Sequence, residues 1–325
     1  MNPFTYLRAT DEAAAVSAGA AAKAAFLAGG TTIVDLMRLH VMQPDAIVDL
    51  GAIGLTQIEN TADGGVRIGA LVTNTALADH QTVGAKYPVV VEAIRSGASA
   101  QIRNVATTGG NLLQRTRCPY FRDAQVSACN KRAPGSGCAA IGGVNRSHAV
   151  LGVSNKCIAT HPSDFAVALV ALEASVRIRG AAGTRVIALE ELHTKPGDHP
   201  EIEHTLKPGE VITHVEIPAN AFAKKSHYLK IRDRASFAFA LASAAVALDM
   251  QGATIRDARV ALGGVGTVPW RAKETEAALR GKPATRATFV EAAKAALVSA
   301  KTQPTNAFKV ELAQATIVRA LEEIA

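Results

Sequence analysis

The feature that most constrains this chain is the confinement of its four cysteines to one segment of forty residues. They are Cys118, Cys129, Cys138 and Cys157, with ten, eight and eighteen residues between them. Cysteines used as small core residues would not cluster in this way. The segment is rich in Gly, Pro, Asn and Arg and lacks apolar periodicity, so it predicts a long loop. A loop of this length is uncommon in a compact chain unless something holds it in place.

The spacing alone leaves the role of the four thiols open. Two disulfides would require an oxidising compartment and would allow three connectivities. A four-cysteine zinc site usually has two short C-x2-4-C pairs, and iron–sulfur ligands often form a tight C-x2-C-x2-C run. Neither pattern is present. The clustering favours a metal centre over disulfides but does not decide which metal.

Length and composition limit the number of domains and the class of protein. The 325 residues exceed one ordinary core, so we expect two or three domains. An apolar content of 48% with 19% charged residues indicates a well-packed globular protein. The net charge of +7 is dispersed, and aromatic residues make up only 4%, which argues against a nucleic-acid-binding surface. The one local group of basic residues lies among the cysteines and comprises Arg115, Arg117, Arg122, Lys131 and Arg132.

The chain shows no targeting signal of its own. Its first residues lack the basic and apolar regions of a signal peptide. The longest apolar run, residues 237–248, is too short to cross a bilayer. We therefore expect neither a signal peptide nor a membrane span.

Secondary-structure patterns divide the chain into three units. Residues 1–60 alternate strand and helix patterns, which predicts a small α/β subdomain. Residues 61–222 form a second subdomain, interrupted at about 113–158 by the cysteine segment. Residues 223–325 begin with a strand hairpin and end in three helical patterns, which predicts an α+β domain.

Four local predictions within these units are specific enough to test. The Ala-rich residues 11–25 predict one helix, and residues 86–103 predict another. Residues 46–50 and 211–217 predict strands.

Two glycine-rich loops are candidate cofactor sites. They are Gly29-Gly30-Thr31-Thr32 and Thr107-Thr108-Gly109-Gly110-Asn111. Glycine lets backbone N–H groups approach a ligand closely, and a following helix N-terminus favours anions. Each loop alone also fits a tight turn with a Thr cap, and neither is the G-x-G-x-x-G of a Rossmann fold. Two such loops in separate subdomains are suited to hold the two halves of a dinucleotide.

Three single residues have both a structural and a functional interpretation. Asp164, in the sequence HPSD at a predicted helix start, is a helix-terminus residue or an acceptor for ribose or ribityl hydroxyls. Lys230 lies on a solvated strand face or is a cation near a flavin or phosphate. His161 is assigned a structural role. The sequence contains no Ser-His-Asp set, paired-carboxylate site or H-E-x-x-H motif.

Six motifs, spread over all three units, resemble the FAD-binding subunit of the molybdenum hydroxylases, the xanthine dehydrogenase family. They occur in the order found in that family and read FLAGGTTIVDLM, RIGALVTNTAL, IRNVATTGGNLLQ, HPSD, PGEVITHVEIP and YLKIRDRASFAFALAS. The cysteine segment resembles the branch with an additional [4Fe–4S] cluster, the flavin subunits of bacterial periplasmic aldehyde oxidoreductases. It is also similar to the flavin subunit of 4-hydroxybenzoyl-CoA reductase.

The resemblance implies an α+β fold. Residues 1–60 and 61–222 would form a two-part α/β FAD-binding domain of the vanillyl-alcohol-oxidase (PCMH) type, with an iron–sulfur insertion. Residues 223–325 would form a domain of the CO dehydrogenase flavoprotein C-terminal type.

The resemblance also implies the site residues. All four cysteines match ligands of the [4Fe–4S] cluster, and no residue beyond the flavin itself is catalytic. The residues that match FAD-binding positions are Phe26, Leu27, Ala28, Gly29, Gly30, Thr31, Thr32, Thr107, Thr108, Gly109, Gly110, Asn111, Asp164, Ile212 and Lys230.

The implied function is electron transfer within a heterotrimeric aldehyde oxidoreductase. A large partner subunit would oxidise the substrate at a molybdenum cofactor, and a small partner would pass electrons through [2Fe–2S] clusters to the FAD. Reduced flavin would then serve an external acceptor. The [4Fe–4S] cluster would be structural or an extra relay. The complex would lie in the periplasm, by co-export with a partner, or in the cytoplasm.

Two alternatives remain at this stage. The first is a four-cysteine zinc or iron–sulfur scaffold or sensor without flavin chemistry. The second is a stand-alone flavin oxidase of the same fold, which would need its own acid or base beside a substrate pocket.

Overall fold

The structure of the protein is a computed structural model, and it describes residues 1–220 and 222–325. Within these ranges the strands form three sheets, of three, five and four strands. No helix in the described part of the chain is long and apolar enough to cross a membrane.

The first sheet is parallel and has the strand order β1-β3-β2. Its elements are β1 (Thr5–Arg8), α1 (Glu12–Gly19), β2 (Ala24–Leu27), α2 (Ile33–Arg38) and β3 (Ala46–Asp49). Each helix connects two parallel strands, as parallel pairing requires. The strand predicted over 46–50 is confirmed as β3.

The helix predicted over 11–25 is too long. It ends at Gly19, and β2 has already begun at Ala24. Alanine favours a helix, but pairing of β2 with β3 overrides this local preference. A side chain at Gly19 would also collide with the ring of Phe26.

The second sheet is antiparallel, in the order β4-β5-β8-β6-β7. Its strands are β4 (Ile58–Asn60), β5 (Val66–Gly69), β6 (Ser175–Gly180), β7 (Gly183–Ala188) and β8 (Val211–Ile217). The associated helices are α3 (Asn74–Ala78), α4 (Gln81–Lys86), α5 (Pro88–Ser96), α6 (Ala100–Arg103), α7 (Thr108–Leu112), α8 (Pro119–Arg122) and α9 (Asp164–Ala171). The strand predicted over 211–217 is confirmed as β8. A 3-10 turn covers Leu189–Glu191.

The helix predicted over 86–103 is two helices, α5 and α6. The break falls at Gly97 and Ala98, and Ala98 has a φ of 53°. Ser99 then caps α6 by accepting a hydrogen bond from the Ile102 N–H at 3.3 Å. A left-handed residue followed by a new N-cap ends one helix and begins another.

The third sheet is antiparallel, in the order β12-β11-β10-β9, and three helices pack on it. Its elements are β9 (Ser226–Ile231), β10 (Ala242–Gln251), β11 (Thr254–Gly263), β12 (Trp270–Arg271), α10 (Lys273–Leu279), α11 (Arg286–Ala295) and α12 (Phe308–Glu322). The hairpin and the three C-terminal helices agree with the sequence patterns.

The cysteine segment is a long loop that rests on the third unit. Val150 donates to the Val265 carbonyl at 2.8 Å, and its own carbonyl accepts from the Lys301 N–H at 2.8 Å. The Asn145 carboxamide oxygen accepts from the Thr305 hydroxyl at 2.6 Å. The sequence predicted that something must hold this loop, and these contacts with the C-terminal domain contribute to holding it.

The burial of Lys309 predicts that the stability of the folded chain depends on pH. Its ammonium group is buried and donates to the Gly264 carbonyl at 2.6 Å, and burial lowers its pKa from 10.5 to about 7. The unfolded chain therefore binds more protons between pH 7 and 10.5, so stability rises with pH across that window, by up to about 1.4 kcal/mol per pH unit. For Lys309→Met, the free energy of unfolding measured by urea denaturation should lack this rise with pH. Equal slopes for variant and wild type would contradict the prediction.

Candidate cofactor site

A cavity of about 500 Å³ lies where the first two units and the cysteine segment meet. Both glycine-rich loops line it, together with the start of β8 and Thr267 of the third unit. Ten of the residues predicted for FAD therefore share one cavity: Phe26, Ala28, Gly29, Gly30, Thr31, Thr32, Thr107, Gly109, Gly110 and Ile212. The volume and the mixed polar and apolar lining suit a large cofactor.

The first loop, between β2 and α2, requires glycine. A Cβ on Gly29 would overlap the backbone carbonyl of Val105, and Gly30 has a φ of 73°. Only glycine fits the first position, and it is favoured at the second. Thr32 is the N-cap of α2, but its side chain makes no capping hydrogen bond within the described residues. The interpretation as a Thr-capped turn is therefore not supported for this loop.

The second loop presents only part of itself to the cavity. Thr107 caps α7, because its Oγ1 accepts from the Gly110 N–H at 3.3 Å. Thr108 is buried and donates its hydroxyl proton to the Val72 carbonyl at 2.9 Å. The Asn111 carboxamide oxygen accepts from Ser163 Oγ at 2.7 Å. Thr108 and Asn111 thus brace the loop, while Gly109 and Gly110 line the cavity.

Asp164 and Lys230 pair with each other. Lys230 Nζ lies 2.7 Å from Asp164 Oδ2, and their side chains are 3% and 9% exposed, respectively. Tyr228 donates its hydroxyl to Asp164 Oδ1 at 2.7 Å, and burial raises the pKa of Tyr228 well above its usual range. Ser163, not Asp164, caps α9. Neither charged residue is among the described lining of the cavity, nor is Leu27.

All four cysteines line one small pocket, although they are far apart in sequence. Cys129 and Cys138 face each other in an antiparallel bridge. None of the four is in a disulfide in the described chain, so the disulfide alternative is not supported. The fold of the segment thus brings together the four residues that the sequence singled out.

The arrangement of the thiols does not support a single zinc ion. In the described ranges, no three His, Cys, Asp or Glu side chains converge closely enough to hold one metal ion. A zinc ion holds each thiolate sulfur at about 2.3 Å, so its ligands must converge tightly.

Burial in the cysteine pocket favours the protonated form of two of its thiols. Burial raises the pKa of Cys118 to about 12, and it also raises the pKa of Cys157. The charge of Lys131 opposes the shift at Cys157. A bound metal centre would displace the protons, because only the thiolate is a ligand.

The basic residues around the cysteines are held mainly by carboxylates and carbonyls. Arg115 and Lys131 pair with Glu203, Arg117 and Arg122 with Asp35, and Arg132 donates to the carbonyls of Tyr120, Phe121 and Val126. These contacts fold the segment around the pocket. Lys131 has the additional effect on Cys157 described above.

The cofactor cavity and the cysteine pocket share a wall. Lys131, Cys157 and Ala159 line both of them. The sequence placed the cysteine segment between the second glycine-rich loop and the HPSD sequence, but it did not predict that a cysteine would border the cavity itself.

Several histidines lie at the cavity or the cysteine pocket, which the sequence patterns did not predict. His148 Nε2 lies 3.1 Å from Cys118 Sγ, and its position inside the cysteine segment was the available signal. His161, His193 and His204 line the cavity, and the rings of His161 and His193 are 4.4 Å apart. Burial lowers the pKa of His193 to about 4 and that of His161 well below its usual range. No sequence pattern connects these three histidines.

Comparisons with known proteins agree with this architecture. Residues 2–220 match the family described as "FAD binding domain in molybdopterin dehydrogenase", and residues 227–324 match "CO dehydrogenase flavoprotein C-terminal domain". The chain is 48% identical to the aldehyde oxidoreductase FAD-binding subunit PaoB of Escherichia coli (strain K12), over 99% of this chain and 98% of that protein. It is 28% identical to the glyceraldehyde dehydrogenase medium chain of Sulfolobus acidocaldarius, over 79% of this chain and 73% of that one.

Solved structures share the fold across the whole chain. A carbon monoxide dehydrogenase chain from Hydrogenophaga pseudoflava superposes with a TM-score of 0.77 at 24% identity, covering 100% of this chain and 98% of that one. A chain of quinoline 2-oxidoreductase from Pseudomonas putida 86 superposes with a TM-score of 0.76 at 23% identity, covering 99% and 97%.

Proposed function

This chain belongs to the FAD-binding subunits of the molybdenum hydroxylase family, a family of oxidoreductases, and we propose that it transfers electrons through FAD and an additional [4Fe–4S] cluster. The observation that carries the proposal is the wall shared by the FAD cavity and the four-cysteine pocket. The zinc scaffold without flavin is disfavoured by the match of residues 2–220 to an FAD-binding domain.

FAD is held between the two glycine-rich loops in this proposal. Gly29 and Gly30 offer close backbone approach from one side, and Gly109 and Gly110 offer it from the other. Apolar residues such as Phe26 and Leu71 provide apolar surface in the lining of the cavity. When bound, FAD supplies the electron-transfer chemistry, and the protein contributes positioning and electrostatics.

Asp164 and Lys230 would support FAD binding indirectly, without contacting the cofactor. Their buried pair joins the start of α9 to β9, so it fixes two elements of different domains. A direct contact with the cofactor, as the resemblance implies, would require the pair to open. The structure therefore favours a positioning role.

In this proposal the four cysteines of the pocket are the ligands of the [4Fe–4S] cluster. It brings together four unpaired thiols that do not form a single-ion site. Four thiolates are the usual ligand set of such a cluster. The pocket is largely enclosed by protein, and Ala159 donates its N–H to Cys157 Sγ at 3.4 Å, which is the kind of contact that tunes a bound cluster.

Substrate oxidation is assigned to a partner subunit. We propose a heterotrimer with a large molybdenum-cofactor subunit and a small [2Fe–2S] subunit, acting on aldehydes, since PaoB is named as a subunit of an aldehyde oxidoreductase. Electrons would reach FAD from the small subunit and leave to an external acceptor. The complex would reside in the periplasm after co-export with a partner, or in the cytoplasm.

Copurification tests this assignment. The full chain, tagged and expressed with its neighbouring genes, is expected to bring down a molybdenum subunit and a [2Fe–2S] subunit in equal amounts. A chain that purifies alone and oxidises a substrate with its own flavin would instead support the stand-alone oxidase.

Cys138→Ala tests the cluster without disturbing the FAD cavity, because Cys138 lines only the cysteine pocket. The variant is expected to lose most of the roughly four irons per chain that a [4Fe–4S] cluster supplies, while its FAD content stays close to that of wild type. Ser127→Ala, an exposed change in the same segment, is the matched control and should retain both. Full iron content in Cys138→Ala would show that Cys138 is not a ligand.

A further inference from the structure

His148 is a buried imidazole directly beside the cysteine pocket. It is 1% exposed, and its Nε2 lies 3.1 Å from Cys118 Sγ. We infer that His148 donates a hydrogen bond from Nε2–H to the Cys118 thiolate and thereby raises the reduction potential of the cluster. This inference rests on the proposed function, because it requires the [4Fe–4S] cluster.

The direction of the hydrogen bond follows from the chemistry of the ligand. A thiolate that binds iron carries no proton, so the shared proton must lie on His148 Nε2. Nδ1 is then free of a proton in the neutral ring. It is buried and has no partner among the described residues, so a second proton there would have no acceptor. The surroundings therefore match a neutral imidazole that donates through Nε2.

Hydrogen bonds hold the backbone that carries His148 in place. The His148 N–H donates to the Asn145 carbonyl at 2.9 Å, and the next residue, Ala149, donates its N–H to the Ile158 carbonyl at 2.9 Å. Asn306 of the C-terminal domain donates to the Ala149 carbonyl at 3.2 Å. The donor is thus held by the cysteine segment and by the third unit, and a preorganised donor loses little entropy on bonding.

The effect of the His148 hydrogen bond on the reduction potential of the cluster follows from charge. Reduction adds an electron to the cluster and its thiolates, so a proton donor at a ligand sulfur stabilises the reduced state more than the oxidised state. Cys157 also accepts a hydrogen bond, but from the backbone N–H of Ala159. The contact from His148 is one that a side-chain substitution can remove.

The test compares reductive titrations of the full chain, purified without oxygen and followed by the EPR signal of the reduced cluster. His148→Phe removes the donor, and His148→Gln offers a side-chain N–H in its place. At a fixed solution potential, the ratio of reduced to oxidised cluster is expected to fall about three- to tenfold in His148→Phe. His148→Gln is expected to recover part of this loss. His199→Phe, at an exposed position, is the control and should titrate as wild type.

Iron and sulfide contents separate the two possible failures. A wild-type chain without about four irons and four sulfides would overturn the proposed function itself. An unchanged potential in His148→Phe with full iron would overturn only the role of His148.

A measurement on the wild-type protein covers the case in which His148→Phe does not fold or loses its iron. Pulsed EPR of the reduced chain, grown with ¹⁵N-histidine, should show a weak nitrogen coupling together with an exchangeable proton. The absence of both, or a coupling as strong as that of a directly bound imidazole, would contradict a hydrogen bond through Cys118.

Discussion

Gly29→Ala is expected to weaken FAD binding by up to about 100-fold. The added Cβ would overlap the Val105 carbonyl and would lie 3.0 Å from Ala106 Cα. These are backbone atoms immediately before Thr107. Relieving the overlap would therefore have to push the two cofactor loops apart. Titration of flavin-free protein with FAD, followed by flavin fluorescence, measures the change in affinity.

Gly84→Ala is the matched control for Gly29→Ala. A Cβ at Gly84 meets nothing within 4 Å, and the residue lies inside α4. This variant should bind FAD as wild type does and should be slightly more stable, since alanine is the better helix former. If Gly29→Ala also bound FAD with unchanged affinity, the two loops would not clamp the cofactor.

Lys230→Met is expected to lower the free energy of unfolding by about 3–5 kcal/mol. The substitution leaves the buried carboxylate of Asp164 without its cation, while Tyr228 remains as a hydrogen-bond donor. An uncompensated buried charge is costly because it has lost its water as well as its partner. Urea denaturation of the flavin-free chain, followed by circular dichroism, measures the loss.

A double variant distinguishes the two roles considered for this pair. Asp164→Asn combined with Lys230→Met removes both charges, so its loss of stability should be smaller than the sum of the single losses. A stable Lys230→Met variant with weakened FAD binding would instead support direct contact between Lys230 and the cofactor.

The parts of the fold that the sequence predicts well are those with strong local patterns. β8 occupies the predicted residues 211–217, which are rich in β-branched residues and alternate between partly buried polar and buried apolar side chains over residues 214–217. The Ala-rich residues 11–25 have no such alternation, and strand pairing decided their structure instead.

The cofactor site could be predicted only where residues are close in sequence. Each glycine loop is a compact motif, and the four cysteines are confined to one segment of forty residues; the structure brings each set together. The pair of Asp164 with Lys230, and the contact of His148 with Cys118, depend on how separate elements pack. Neither follows from local spacing.

The most direct test of the account is the content of FAD, iron and acid-labile sulfide in the full chain purified without oxygen. We expect one FAD, about four irons and about four sulfides per chain, with flavin absorption at about 450 nm over a broad iron–sulfur shoulder. One zinc and no iron, or iron without flavin, would contradict the claim that this chain carries a [4Fe–4S] cluster beside FAD.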